Sequence, residues 1–145
     1  MTITSRIGGT SGPIWGTAFM KAGISSGSSD SLTADQVVAM LRAAIEGIKA
    51  RGQSDVGDKT LLDVLAPMTD EIERQLGTGA DAATTLAAAA QVARTSAEAT
   101  SEMVAKRGRA SYTGERSKGS VDAGGMAVAV IVERIHQAWP TEESA

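Results

Sequence analysis

An all-α fold is predicted by three features of this 145-residue chain. Apolar residues recur at helical spacing in four long stretches and one shorter one, and strand-type alternation persists nowhere. Alanine, the strongest helix former, dominates the segment 80–106. Aromatic residues make up only 3% of the chain, so the core must be built from Ala, Val, Ile, Leu and Met. Such small side chains let helices pack at the low end of the usual ~8–10 Å separation. The length suits one domain with a single core.

The first element runs from about Gly12 to Ala22, with Ile14, Trp15, Ala18 and Phe19 as its apolar side. Pro13 is acceptable in a first turn, where its missing N–H is no loss. Residues 23–30 are Gly/Ser-rich and read as a loop. The second element is the clearest: Val37, Met40, Leu41, Ala44, Ile45 and Ile48 share one face. Thr33 with Gln36 forms a capping box before it, and Gly52 stands where a C-terminal cap is expected. After a loop over 53–57, Asp58 is expected to cap a third helix carrying Leu61, Leu62, Val64, Leu65, Met68, Ile72 and Leu76. Pro67 predicts a kink in it, and Gly77 or Gly79 its end. The alanine-rich fourth helix presents Leu86, Ala89, Ala93, Ala97, Thr100 and Val104 as a narrow stripe. Residues 107–121 mix Gly, Ser and Thr with charges and read as a long loop. Asp122 then caps a last helix bearing Met126, Val128, Ile131, Ile135 and Trp139, which Pro140 ends.

Composition excludes several function classes. A net charge of −3 argues against a general nucleic-acid binder, which would present a basic face. Cysteine is absent, so neither disulfides nor thiolate chemistry are available. No apolar run approaches the roughly 20 residues needed to span a bilayer. The first residues lack the apolar core of a signal peptide, and a soluble cytoplasmic protein is expected. The single histidine, His136, falls late in the last helix, where a surface or dipole-complementing role is expected. Asp55, Asp58 and Asp63 are too dispersed to predict a metal site.

Three glycine-bearing turns adjoin predicted helix ends, where free N–H groups and a positive dipole end suit phosphate. The turn Gly8-Gly9-Thr10-Ser11-Gly12-Pro13 reads either as a phosphate cradle or as a glycine break with Ser11 as N-cap. In Gly57-Asp58-Lys59-Thr60, Lys59 is poorly matched to the dipole of a first helical turn, which favours a job for it outside the helix. Arg109 offers a guanidinium fork for phosphate or carboxylate, and reads equally as part of a solvated basic loop.

Taken together, GGTSGPIWGTAF, RGxxxxGDKTLLDVLAP, RGRASYTGERS and VDAGG resemble the nucleotide-binding module of dihydroxyacetone kinases. That module is the ATP-binding domain of the single-chain kinases, or the ADP-binding L subunit of the phosphotransferase-linked enzymes. The resemblance implies an antiparallel up-and-down barrel of helices, with ADP or ATP and Mg²⁺ bound at one end. It assigns phosphate contacts to Gly8, Gly9, Thr10, Ser11 and Gly12, and contacts near the nucleoside to Gly52, Thr60 and Leu61. It adds Arg109 and the turn Asp122-Ala123-Gly124. The implied reaction moves a phosphoryl group onto dihydroxyacetone held by a histidine of a separate kinase subunit, so His136 does not inherit that role. A phosphocarrier protein is a further partner of some members.

The family's Gly-Asp-x-Asp-x-Gly segment, whose aspartates hold Mg²⁺, lies upstream of the Gly-Gly loop and does not occur in this sequence. About five of the family's eight helices are therefore expected, with no metal ligands of the chain's own. A barrel short of staves exposes apolar helix faces, so self-association over the open side is expected. Three roles follow: a nucleotide module working with metal ligands from elsewhere, a non-catalytic interaction module, or a fragment that folds only by oligomerising.

Overall fold

A computed structural model describes residues 33–105 and 118–139. Within them lie four α-helices and one short 3₁₀ turn, and no strand. Helix α1 spans Ala34–Gly52, α2 Leu62–Gly77, α3 Ala82–Ala99 and α4 Ala123–Ala138. The predicted helix over 12–22, the Gly8–Gly12 turn and Arg109 lie outside the described residues.

Helix α1 starts on the expected capping box. The Gln36 amide donates to Thr33 Oγ1 at 3.2 Å, and the Thr33 amide donates to Gln36 Oε1 at 2.8 Å. Its end differs from expectation: Gly52 is the last helical residue, and Gln53 takes the left-handed conformation at φ 49°. The Gln53 amide closes on the Lys49 carbonyl, which is what a C-terminal cap must do for an otherwise unpaired acceptor.

Helix α2 is not capped by Asp58. The Thr60 hydroxyl accepts from Leu62 N at 3.2 Å, and the Asp63 carboxylate returns to accept from Thr60 N at 2.9 Å. This reciprocal pair satisfies two helix-end donors at once. Pro67 lies inside α2 without ending it, and Gly77 is its last residue. Helix α3 opens on Asp81, whose Oδ1 accepts from Thr84 N at 2.7 Å. It stops at Ala99, earlier than the periodicity implied. Thr100–Glu102 tighten into a 3₁₀ turn, and the Thr100 hydroxyl donates to the Ala97 carbonyl at 2.5 Å. Helix α4 opens on Asp122, as its sequence predicts, with Oδ2 accepting from Gly125 N at 2.7 Å.

The helices run up and down in chain order. Arg42 of α1 reaches Asp70 and Glu73 of α2, both at 2.7 Å. Arg94 of α3 makes a two-pronged contact with Glu133 of α4 at 2.7 and 2.8 Å. Helix α3 packs most extensively, against α2 on one side and α4 on the other. The ends of α1 and α3 therefore meet the starts of α2 and α4 at one pole. Closure into a barrel involves the whole set of helices and lies outside the described residues.

The core follows the predicted faces in α1 to α3 except at Val37, which is exposed while Val38 packs inward in its place. Ala44, Ile45 and Ile48 of α1 are buried, with Leu62, Val64, Leu65, Met68 and Ile72 of α2 and Ala89, Ala93 and Ala97 of α3. Full burial of a side chain such as Leu62 or Ile48 contributes about 1.5–3 kcal/mol. Helix α4 departs from expectation. Its inward face is Gly125, Val128, Ala129 and Val132, while Ile131, Ile135 and Trp139 are 51%, 45% and 44% exposed. At its start, the close approach of α4 to Leu61 and Val64 leaves no room for a Cβ on Gly125.

Candidate functional site

The pole where α2 and α4 begin is built by two turns, 57–61 and 118–122. In the first, the Asp63 carboxylate accepts from Gly57 N at 2.6 Å and from Thr60 N at 2.9 Å, so one side chain fixes both flanks of Lys59. Asp58 faces the other way and accepts from Asp55 N at 3.0 Å. Lys59 itself has φ 60°, a left-handed value that costs a non-glycine residue on the order of 1 kcal/mol. It is also 3% exposed. Its ammonium donates to the Ser120 carbonyl of the second turn at 2.7 Å, across 61 positions of sequence.

The second turn is anchored to the end of α3. Gly119 N donates to the Ser101 carbonyl at 2.7 Å, and Asp122 N donates to the buried Thr100 hydroxyl at 2.8 Å. The start of α4 then lies directly on the start of α2. A Cβ on Gly124 would come within 3.3 Å of Leu61 Cβ. A Cβ on Gly125 would come within 2.8 Å of Val64 Cγ2, closer than real Cβ contacts permit. These two glycines are what allow the approach.

Among the sequence-predicted residues, Thr60 and Leu61 are thus brought against Asp122, Ala123 and Gly124. Gly52 ends α1 at the same pole, one loop away. Two helix N-termini side by side would ordinarily present unpaired amides and positive dipole ends. Here most of these groups are already used. The Thr60 hydroxyl and the Asp122 carboxylate accept from first-turn amides of the two helices, and the Met126 and Leu65 amides bond the Asp122 and Leu61 carbonyls at 2.9 Å each. The amides of Leu61 and Ala123 have no partner among the described residues. Burial pushes the Asp122 carboxyl above the ordinary carboxylate range. The Gly125 amide opposes that shift, the nearby Asp63 charge adds to it, and Lys59 works against it.

Two carboxylates at the tips repel phosphate and can accept from hydroxyl or amino groups. Both tips are therefore acidic rather than anion-attracting at their side chains. Among the described residues, no group of three or more His, Cys, Asp or Glu side chains could hold a metal ion. A groove of about 450 Å³ lined by Asp35, Val38, Glu73, Leu76 and Gly77 lies at the opposite pole, where two acidic side chains make it unsuited to an anion. The burial of Lys59 had no sequence signal beyond its poor fit to the helix dipole.

The family model described as the DAK2 domain matches residues 1–137. The ADP-binding subunit DhaL of the PEP-dependent dihydroxyacetone kinase of Escherichia coli (strain K12) is 36% identical over 135 residues, 93% of this chain and 64% of that subunit. The corresponding subunit of kinase 1 of Listeria innocua is 33% identical over 137 residues, 94% of this chain and 63% of that subunit. An L-erythrulose 1-kinase of Mycolicibacterium smegmatis is 37% identical over 128 residues, 88% of this chain and 22% of that enzyme. The chain spans less than two thirds of the length of the DhaL relatives. A match that runs from the first residue almost to the end of α4 makes this chain a member of the DAK2 domain family.

Proposed function

We propose that the chain is an ADP- or ATP-binding module that serves phosphoryl transfer to dihydroxyacetone held on a separate kinase subunit. The observation that carries this reading is the meeting of the Thr60-Leu61 and Asp122-Gly124 turns at one pole, so close that a Cβ on Gly124 would come within 3.3 Å of Leu61 Cβ. In this reading the Leu61 and Ala123 amides and the two capping carboxylates hold the nucleoside. Gly8, Gly9, Thr10, Ser11, Gly12 and Arg109 hold the phosphates, and Gly52 borders the site. Bound ATP supplies the transferable phosphoryl group; the described residues bind and orient. Mg²⁺, where it takes part, is held by side chains other than the described ones. A phosphocarrier partner, of the sort the name of a Lactococcus lactis relative implies, and a cytoplasmic location belong to the same proposal.

Calorimetric titration with ADP, with and without Mg²⁺, tests it. Micromolar binding supports the reading, and Arg109→Ala should weaken it. No heat at millimolar ADP removes the reading for this chain.

A second reading rests on α4. Ile131, Ile135 and Trp139 stand four residues apart and form an apolar stripe open to solvent. Self-association over that stripe is what would cover it. Light scattering on the eluting protein should give a mass above one chain, and Ile135→Glu should reduce it. A monomer in both cases rejects this reading.

A further inference from the structure

Lys59 carries two unfavourable features together: a left-handed backbone and a buried ammonium. Glycine would remove the first, and any apolar residue the second. The feature that uses both is the 2.7 Å bond from its ammonium to the Ser120 carbonyl, which spans the two turns of the site. The backbone at φ 60° lies between two amides pinned by Asp63, and from there the side chain crosses to the second turn. Ser120 in turn precedes Asp122, which is fixed to Thr100.

We propose that Lys59 is a positioning residue, a strut that locks the start of α2 to the turn before α4 and so sets the spacing between Thr60-Leu61 and Asp122-Gly124. The proposal rests on the nucleotide-binding reading for its consequence, though not for its geometry. The strut holds the Leu61 and Ala123 amides at a fixed separation before any ligand arrives. Such preorganisation lowers the ordering cost of binding.

Two variants separate the strut from mere strain. Lys59→Gly removes the ammonium and relieves the backbone; Lys59→Met removes the ammonium and keeps the strain. Amide hydrogen exchange and ADP titration are read on both. Loss of one bond to a charged group is expected to raise exchange at the hydrogen-bonded Thr60, Asp122 and Gly125 amides by about tenfold or more. The Ala93 and Ala97 amides inside α3 should keep their parent rates. ADP binding should weaken by about tenfold in both variants, from the same lost bond. The strut is overturned if Lys59→Gly leaves exchange at the turns unchanged, raises it uniformly, or binds ADP as tightly as the parent. If the parent itself takes up no ADP, the nucleotide reading fails alone, and the exchange pattern still decides the strut. Should Lys59→Met not fold, Lys59→Gly carries the test.

Discussion

Adding a single methyl group at Gly125 should loosen the joint between α2 and α4. In Gly125→Ala the new Cβ would lie 2.8 Å from Val64 Cγ2, whereas ordinary contact begins at 3.4 Å. Val64 is fully buried and β-branched, so it has little freedom to turn away. The neighbouring Gly124 already stands at the limit against Leu61, so α4 cannot slide that way. Overpacking of this kind costs about 1–3 kcal/mol, and the site's rigidity points to the upper half of that range. The better helix propensity of alanine returns up to about 1 kcal/mol. A net loss of about 1–2 kcal/mol remains. For a chain of this size that lowers the melting temperature by roughly 3–8 °C. Urea unfolding of the parent, Gly125→Ala, Val64→Ala and the double variant measures it. Val64→Ala opens the space that the new methyl needs, so the double variant should be more stable than the sum of the single losses by about 1 kcal/mol. A Gly125→Ala protein at least as stable as its parent, or strict additivity in the cycle, would refute the close-approach argument.

Further predictions concern pH and the buried polar contacts. The Arg74 guanidinium first, and Gln75 second, hold the Glu71 carboxyl down to about 2. A depressed carboxyl stabilises the fold above its unfolded value of 4.5 and loses that effect as pH falls toward 2. Glu71→Gln should therefore flatten the melting temperature across that window and leave its shape near pH 7 unchanged. Asp122 has the opposite sign. Its raised carboxyl weakens the fold as pH rises through the range just above 3.8, and Asp122→Asn should remove that slope while keeping a cap. Thr100→Val takes away the acceptor for Asp122 N and strands a buried amide, at a cost of about 1–3 kcal/mol by thermal unfolding.

Much of the helical order was legible because it rests on local chemistry. The Thr33/Gln36 box, the Asp122 cap and, Val37 apart, the inward faces of α1 to α3 follow from spacing within one or two turns. The misreadings share a cause. Asp58 and Thr60 are both good N-caps, and what chose Thr60 was the return of Asp63 from the first turn of the helix. Gly52 lost the left-handed position to Gln53 by one residue, a margin that composition does not resolve. In α4 the large residues form as good a stripe as the small ones. The choice between them depends on how near α2 lies, and only tertiary contact sets that distance. Within the candidate site, the turns were recognisable by their glycines and caps. The bond joining Lys59 to Ser120 was not, because a separation of 61 positions leaves no local trace.

The inward side of α3 consists chiefly of alanines, with Ala89, Ala93 and Ala97 wholly enclosed between α2 and α4. Such a strip has no rotamers to freeze, so the chain folds around it without losing side-chain freedom there. The same property narrows its evolutionary options. A larger residue on this strip must be matched by a smaller one on a facing helix, so change here advances in compensated pairs, whereas the solvent side of α3 drifts one position at a time.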